Sequence, residues 1–211
     1  MLKNKKVLIT CGPTWVPIDE VRVISNVSSG QMGHILASAF LREGCQVTLI
    51  EGPVHQPMTK TEGLKVIPFF FYEELRTTLL KKLKQKFDIV IHAAAVSDYR
   101  IKNTFNHKIS SSLKTLKLIL VPTAKIITEI KKIQPKCFLV GFKLEPGLGR
   151  DALIDRSRKL FSEAGCDLVI ANSLRGNKYK GYIIDPQLKV AASADSREGI
   201  VKKLIQDLKK S

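Results

Sequence analysis

The sequence contains no hydrophobic run that approaches the ~18 consecutive apolar residues of a transmembrane helix. Its start, residues 1–6, leads directly into a strand-like run without the apolar stretch and cleavage site of a secretory signal. Cysteines are few, at positions 11, 45, 137 and 166, and no two form a C-x-x-C pair or lie at ligand spacing from a histidine. These absences argue against a disulfide framework, a metal site and a membrane-spanning helix, and they predict a cytoplasmic protein with reduced, mostly buried thiols.

Acidic residues are also few: 19 Asp and Glu stand against 35 Lys and Arg, for a formal net charge of +16. Such a charge attracts polyanions, whether nucleic acid, an acidic membrane surface or small substrates with several phosphates. Aromatic residues make up only 7% of the chain, and the basic residues are spread along it. No aromatic and basic stripe of the RNA-binding kind is therefore present, and charge alone does not choose the partner.

The pattern that remains is an alternation of short β-branched runs with amphipathic segments of helical period. Strands are predicted at 6–11, 46–50, within 64–71, and at 87–91, 137–140 and 167–170, and helices at 30–44, 72–84, 126–133 and 151–164. This order predicts an α/β fold over residues 1–211: one domain with a doubly wound, mostly parallel Rossmann-like sheet. Residues 100–121 predict a flap, and residues 181–192 and 197–210 predict a C-terminal hairpin and helix.

The carboxyl ends of the strands are where such a sheet binds ligands. The long connection after the first strand ends in Ser28-Ser29-Gly30-x-x-Gly33, where free N–H groups at a helix start suit a phosphate. A serine N-cap followed by helix-packing glycines is the alternative for the same residues.

Three further strand ends point to the same edge. The alanines at 93–95 leave room for a flat ligand and Asp98 offers a carboxylate, although tight helix packing with an aspartate cap explains them equally. Phe142 is either a base-stacking platform or a core residue, and Asn172 is either a ligand contact or a turn residue. Their placement on one edge of one sheet favours a shared site.

The same residues carry a resemblance to a known enzyme family. The matching motifs are Ile9-Thr10-x-Gly12-Pro13-Thr14, Arg22-x-Ile24-Ser25-Asn26-x-Ser28-Ser29-Gly30-x-Met32-Gly33, Val47-Thr48-Leu49-Ile50-x-Gly52-Pro53, Ala94-Ala95-Val96-x-Asp98-Tyr99, Lys108-Ile109, Val140-Gly141-Phe142-Lys143-x-Glu145 and Asp167-Leu168-Val169-x-Ala171-Asn172. Together they resemble phosphopantothenate-cysteine ligase, the phosphopantothenoylcysteine synthetase of coenzyme A biosynthesis. In many bacteria that domain is fused behind a flavin-dependent decarboxylase; the resemblance here covers the ligase half, which implies a free-standing ligase without flavin and a separate decarboxylase as a partner.

The resemblance implies a ligase that joins the carboxylate of 4'-phosphopantothenate to the amine of L-cysteine. CTP, or ATP as second choice, activates the carboxylate as an acyl-nucleotidylate and leaves pyrophosphate, with Mg²⁺ bound mainly through the nucleotide. Because both main substrates are polyanions, the positive charge needs no nucleic acid to explain it.

The resemblance also implies roles for individual residues. Asn26 matches the asparagine that holds the acyl-nucleotidylate, and Lys108 matches a flap lysine that favours its reaction with cysteine. Arg22 matches an arginine that reaches the substrate of the partner subunit, which implies a homodimer. The other matches are phosphate contacts at Gly12, Ser28, Gly30 and Gly33, ribose and pantothenate contacts at Ala94, Ala95 and Asp98, and nucleotide contacts at Phe142 and Asn172.

The chain departs from the family pattern in two places. Many bacterial members have Pro-Asp-Ile-Leu as a base-recognition turn, where this chain has Ala124-Lys125-Ile126-Ile127. A pair of lysines on the helix before the sixth predicted strand is not matched in register, and Lys159 is the nearest candidate for a triphosphate contact, with Arg156 and Arg158 as substitutes.

Two other functions compete with this interpretation. Glu51, about twenty residues after Gly30, could bind the ribose of a nicotinamide cofactor in a Rossmann reductase. The glycine spacing does not fit G-x-G-x-x-G, however, and no tyrosine begins a Tyr-x-x-x-Lys pair. A basic, non-catalytic nucleic-acid-binding protein is the second alternative, which the net charge alone supports.

Overall fold

The computed structural model describes residues 2–59, 61–176 and 178–210. Their strands are β1 (Lys6–Cys11), β2 (Trp15–Pro17), β3 (Val23–Ser25), β4 (Gln46–Glu51), β5 (Leu64–Pro68), β6 (Ile89–His92), β7 (Tyr99–Ile101), β8 (Leu120–Pro122), β9 (Phe138–Leu144), β10 (Leu168–Arg175), β11 (Lys178–Ile184) and β12 (Val190–Ala194). Their helices are α1 (Gln31–Arg42), α2 (Tyr72–Leu83), α3 (Ile127–Ile133), α4 (Arg150–Ala164) and α5 (Arg197–Leu208). No helix in these ranges is both long and apolar enough to cross a membrane.

Eight strands form the central sheet in the order β12-β11-β10-β9-β6-β1-β4-β5. The six strands from β10 to β5 are parallel, and β11 and β12 add an antiparallel edge. The parallel strands follow the Rossmann order, which reverses between β1 and β6. The predicted doubly wound, mostly parallel fold is confirmed, and its topological switch point lies between these two strands.

Both faces of the sheet are buried, which explains why its strands are continuous apolar runs. In β1, Val7 and Ile9 pack in the layer that contains α1 and α5, whereas Leu8 packs in the layer that contains α2 and α3. All three side chains are fully buried. The apolar layers on the two faces of the sheet therefore hold β1 between them, which fixes the position of its carboxyl end.

Two hairpins lie outside the central sheet. β7 and β8 pair antiparallel, with Tyr99 opposite Pro122, at the base of the segment predicted to be a flap. β2 and β3 form a second hairpin inside the long connection after β1, for which the sequence predicted no strand. Trp15 of β2 packs against Phe70 at 5.2 Å between ring centroids, so a tertiary contact stabilises this short hairpin.

The four cysteines are all buried and free. Burial raises the pKa of the Cys45 thiol to about 11 and that of Cys166 to about 12. These side chains therefore remain protonated and pack as small apolar groups, as predicted.

Candidate functional site

A cleft of about 540 Å³ lies at the carboxyl edge of the sheet, at the switch point between β1 and β6. The predicted site residues among those that line it are Ser28, Gly30, Gly33, Ala94, Ala95, Asp98, Phe142 and Asn172. Five other predicted residues, Gly12, Arg22, Asn26, Lys108 and Lys159, are not among its lining residues. The structure thus brings eight of the thirteen predicted residues together in one cleft.

The floor of the cleft contains the start of α1. Gly30 precedes the helix with φ of 74°, a conformation that glycine adopts without strain, and it provides no side-chain cap. The first turn contains no acidic residue, and Ser29 Oγ accepts only a long bond of 3.4 Å from the Gln31 amide. The alternative interpretation, a serine N-cap, is therefore weak, and the helix start is suited to an anion.

Gly33 allows α1 to approach β1 closely. A Cβ at this position would lie 2.1 Å from Cys11 Cβ, which real structures do not allow. The glycine therefore has a packing role in addition to lining the cleft. Gly12 directly follows β1, and its carbonyl accepts from the Ala95 amide at 2.9 Å; its predicted phosphate contact stays a prediction.

The alanine segment after β6 is held by hydrogen bonds to β1 and the loop that follows it. Thr10 Oγ1 accepts from the Ala94 amide at 3.3 Å and lies 2.9 Å from His92 Nδ1. The Thr14 amide donates to the Ala95 carbonyl at 3.3 Å. The segment is thus rigid, and its small side chains line the cleft without filling it.

Burial lowers the pKa of His92 to about 4, so its ring is neutral at pH 7. An unfolded histidine titrates near 6.5, so between these values the unfolded chain binds more protons than the folded one. We expect the free energy of unfolding to fall as the pH is lowered through this window, by about 1.4 kcal/mol per pH unit from this site. Urea unfolding at about pH 7 and pH 5 measures the change, and His92→Gln, which keeps an acceptor for Thr10, should lose that part of it. Identical pH dependence in the two proteins would show that His92 is not the cause.

Asn26 is exposed at the rim of the cleft, in the loop that follows β3. Its Nδ2 donates to the Ala95 carbonyl at 3.0 Å. Because Ala95 lines the cleft, this bond fixes the amide beside it. Lys108 lies on the flap with an exposed side chain, outside the lining of the cleft.

An ion pair that the sequence did not predict stands at the mouth of the cleft. Lys125 Nζ is 2.5 Å from Asp98 Oδ1, and both side chains are exposed. Lys125 lies in the turn where the family pattern has an acidic residue. That departure is the feature of the sequence from which a changed charge at this position could have been predicted. Asp98 lines the cleft as predicted, but in this arrangement its carboxylate is neutralised by Lys125.

Lys159 lines a second cavity of about 350 Å³. Arg156 lines it as well, and Lys125 and Lys143 line both cavities, so the two adjoin. Together with Arg197 of the main cleft, five lysine and arginine side chains therefore line one continuous space. Arg158 is not among these lining residues, and its guanidinium lies 3.6 Å from Asp155.

At the other end of the cleft, the C-terminal elements contribute residues that the sequence did not reveal. Arg197, at the start of α5, lines the cleft and packs over the Tyr179 ring at 5.3 Å. Among the described residues, Asn172 Oδ1 and the Tyr179 hydroxyl are buried without a hydrogen-bond partner. An unpaired buried acceptor is costly, and Asn172 also lines the cleft, so a ligand that donates to it fits this position.

Glu51 is not available for a ribose. Its Oε1 lies 2.5 Å from His34 Nε2, and the Met58 amide donates to the same carboxylate at 3.2 Å. Cys11, His34 and Glu51 also form a group of potential metal ligands within 4.8 Å of one another, which spacing along the chain did not indicate. Because the Glu51 carboxylate is already engaged, the structure weakens the nicotinamide alternative.

Arg22 pairs within its own chain. Its Nη1 lies 2.5 Å from Asp19 Oδ2 and donates to the Ile109 carbonyl at 3.2 Å. Among the described residues, the guanidinium makes contacts only through this nitrogen, and over a third of the side chain is exposed. The predicted reach to a partner subunit stays a prediction.

Comparison with known proteins identifies the family of the chain. Residues 2–209 match the family described as the DNA/pantothenate metabolism flavoprotein C-terminal domain. The coenzyme A biosynthesis bifunctional protein CoaBC of Thermococcus kodakarensis is 43% identical over 175 residues, which are 82% of this chain and 42% of that protein. The protein of the same name from Methanocaldococcus jannaschii is 32% identical over 212 residues, 99% of this chain and 51% of that protein.

The chain spans about half the length of these curated relatives or less. Among solved structures, the DNA/pantothenate metabolism flavoprotein of Streptococcus pneumoniae superposes with a TM-score of 0.88 at 27% identity, covering 98% of this chain and 99% of that one. Since the family match extends over nearly all residues and one relative is 43% identical, the chain belongs to the family of DNA/pantothenate metabolism flavoprotein C-terminal domains.

Proposed function

We propose that this chain is a phosphopantothenate-cysteine ligase of coenzyme A biosynthesis, which activates 4'-phosphopantothenate as an acyl-nucleotidylate with CTP and then couples it to L-cysteine. Support comes from the family and from relatives that are named for coenzyme A biosynthesis. The observation that carries the proposal is the cleft at the switch point, where an uncapped helix start lies beside an open alanine segment. That combination suits a phosphorylated, elongated ligand with a flat group.

The proposed reaction has two steps. A carboxylate oxygen attacks the α-phosphorus, its new P–O bond replaces the bond to pyrophosphate, and the amine of cysteine then attacks the acyl carbon and releases the nucleoside monophosphate. The N–H groups at the start of α1 would face phosphate oxygens, and Asn26 would donate to the intermediate without adding charge. No electrons are transferred, so the reaction requires no flavin.

A Mg²⁺ ion fits the site only if the nucleotide supplies most of its ligands. Asp98 is the one carboxylate among the described lining residues of the main cleft, and Lys125 already neutralises it. Mg²⁺ commonly binds in this way, with substrate phosphates and few protein groups. When bound there, the ion would neutralise charge that leaves with pyrophosphate.

The proposal includes a homodimer. β3 is exposed along its whole length, including the apolar side chains of Val23 and Ile24, and Val21 and Val27 on either side of the strand are exposed as well. An exposed apolar strand of this kind suits an interface between copies of the chain. A separate decarboxylase as a partner is part of the same proposal, whereas membrane and nucleic acid are not.

The assay that tests the function follows pyrophosphate with purified protein, phosphopantothenate, Mg²⁺, cysteine and each of the four nucleoside triphosphates. Release that depends on phosphopantothenate supports the ligase. No release with any triphosphate removes the assignment, and nucleic-acid affinity that falls steeply with salt would then favour the nucleic-acid-binding alternative.

Nucleotide choice gives a further prediction. Cytosine and adenine carry an exocyclic amine that can donate to Asn172 Oδ1, and uracil does not. We expect the fastest release with CTP, then ATP, and release with UTP slower than with CTP by about 10-fold or more. Asn172→Ala should bring the CTP and UTP rates together, whereas Asn103→Ala on the exposed flap should not. Equal CTP and UTP rates in the unaltered protein would contradict this role for Asn172.

A further inference from the structure

Asp19 is a buried carboxylate that joins two parts of the chain. Its Oδ1 accepts from the amides of Val21 at 3.0 Å and Arg22 at 2.8 Å, which shapes the loop between β2 and β3. Its Oδ2 accepts from the Ile109 amide at 3.0 Å, 90 residues away on the flap. The side chain of Asp19 is fully buried in this contact.

The backbone of Ile109 is held at both its N–H and its carbonyl group. Its N–H donates to Asp19, and its carbonyl accepts from Arg22 Nη1 at 3.2 Å, while the same nitrogen pairs with Asp19. Ile109 is 8% exposed, although residues 102–108 before it are all exposed. The Phe105 amide adds one more bond, to the Ile18 carbonyl at 3.1 Å. The flap is thus fixed to the β2–β3 loop mainly at the backbone of Ile109, with one further bond at Phe105.

We propose that Asp19 is a positioning residue that latches the flap to the β2–β3 loop, sets Lys108 for the coupling step and aims Arg22. Lys108 immediately precedes the held peptide, so its backbone position follows that of Ile109. The hydrogen bond from Ile109 holds the pKa of Asp19 at about 2, so the latch stays ionised at working pH. Its contribution to stability is present above about pH 4 and is lost only as the pH falls through the folded value.

The inference rests on the proposed function and concerns its second step. Asp19→Asn keeps one oxygen that can accept from the two local amides. Its NH₂ group takes the place of the second oxygen, so it neither accepts from the Ile109 amide nor forms an ion pair with Arg22. We expect the coupling of acyl-nucleotidylate to cysteine to slow by about 10- to 100-fold, because Lys108 loses its fixed position, while formation of the intermediate changes less than about threefold. Glu20→Gln removes the same charge from the neighbouring exposed position and should change neither step.

Three measurements distinguish a latch from a general structural role. Mass spectrometry of quenched single turnovers should show acyl-nucleotidylate accumulating in Asp19→Asn. Trypsin should cleave at Lys102 or Lys108 faster than in the unaltered protein, at a temperature well below both unfolding midpoints. If Asp19 acts through Lys108, coupling in Asp19→Asn/Lys108→Gln should be no slower than in Lys108→Gln alone.

Unchanged coupling with unchanged cleavage of the flap would overturn the latch, as would equal loss in both steps or additive effects in the double variant. If the unaltered protein forms no intermediate with any triphosphate, the proposed function fails. The cleavage comparison still decides whether Asp19 holds the flap, and failure there overturns the latch on its own.

Discussion

Replacing Asn26 by aspartate is expected to lower the rate of acyl-nucleotidylate formation by about 100-fold or more. The Asn26 amide donates to the Ala95 carbonyl beside the cleft. An aspartate at this position cannot donate, and its charge would repel both that carbonyl and the phosphates of the substrates. Single-turnover mixtures quenched before cysteine is added measure the intermediate directly.

Asn4→Asp is a matched control, because it makes the same change just before β1, at the opposite edge of the sheet from the cleft. Its rate should equal that of the unaltered protein. Lys108→Gln provides the complementary comparison: it should still form the intermediate and lose most amide formation, because the flap lysine is proposed to act after activation. Equal loss of both products in Asn26→Asp and Lys108→Gln would mean that the two roles are misassigned.

Mixing Arg22→Ala with Asn26→Ala is expected to restore activity that neither variant has alone. If Arg22 serves the partner subunit's site, each heterodimer has one site with both defects and one with neither. At equal mixing with free exchange of subunits, activity then rises toward about one quarter of the unaltered level, assuming twofold pairing and independent sites. Arg22 also holds Ile109 of its own chain, so the recovered value should lie somewhat below that limit.

The control for this experiment is the mixture of Arg22→Ala with Arg22→Ala/Asn26→Ala, in which no site is intact, so that recovery cannot come from handling. Light scattering and exchange of a labelled subunit establish that dimers form and reassort. A flat mixing curve with confirmed exchange, or a monomer in solution, rules out the shared site and leaves Arg22 with the contacts to Asp19 and Ile109 alone.

The sequence predicted the central sheet well because burial on both faces makes each parallel strand a continuous apolar run. The predicted start of β1 and that of β4 agree with the structure. The β2–β3 hairpin was not predicted, since three-residue strands leave no periodic signal and Trp15 depends on Phe70, which lies 55 residues away in the chain. The local sequence pattern therefore predicted the buried parallel strands, and it missed the hairpin, which depends on a contact with a residue distant in the chain.

The residues of the candidate site also fall into those that the local sequence pattern indicated and those that it did not. Residues close to the end of a strand or the start of a helix, such as Ala94 and Ser28, could be placed on one edge from the order of elements alone. Arg197 could not, because it belongs to the last helix and packs over Tyr179 of the antiparallel edge. Nor did the pattern indicate that Asp19 binds the Ile109 peptide, since no periodicity links a turn to a flap 90 residues away.

The most direct test of the proposed activation follows the oxygen atoms of the carboxylate. Phosphopantothenate labelled with ¹⁸O in both carboxylate oxygens is incubated with the protein, CTP, Mg²⁺ and cysteine, and the masses of the products are measured by mass spectrometry. We predict one ¹⁸O in the cytidine monophosphate and one in the amide product, because the oxygen that attacks the α-phosphorus stays with it when cysteine attacks the acyl carbon. Two results would contradict an acyl-nucleotidylate. One is ¹⁸O in orthophosphate together with formation of cytidine diphosphate; the other is formation of the amide while the cytidine monophosphate contains no ¹⁸O.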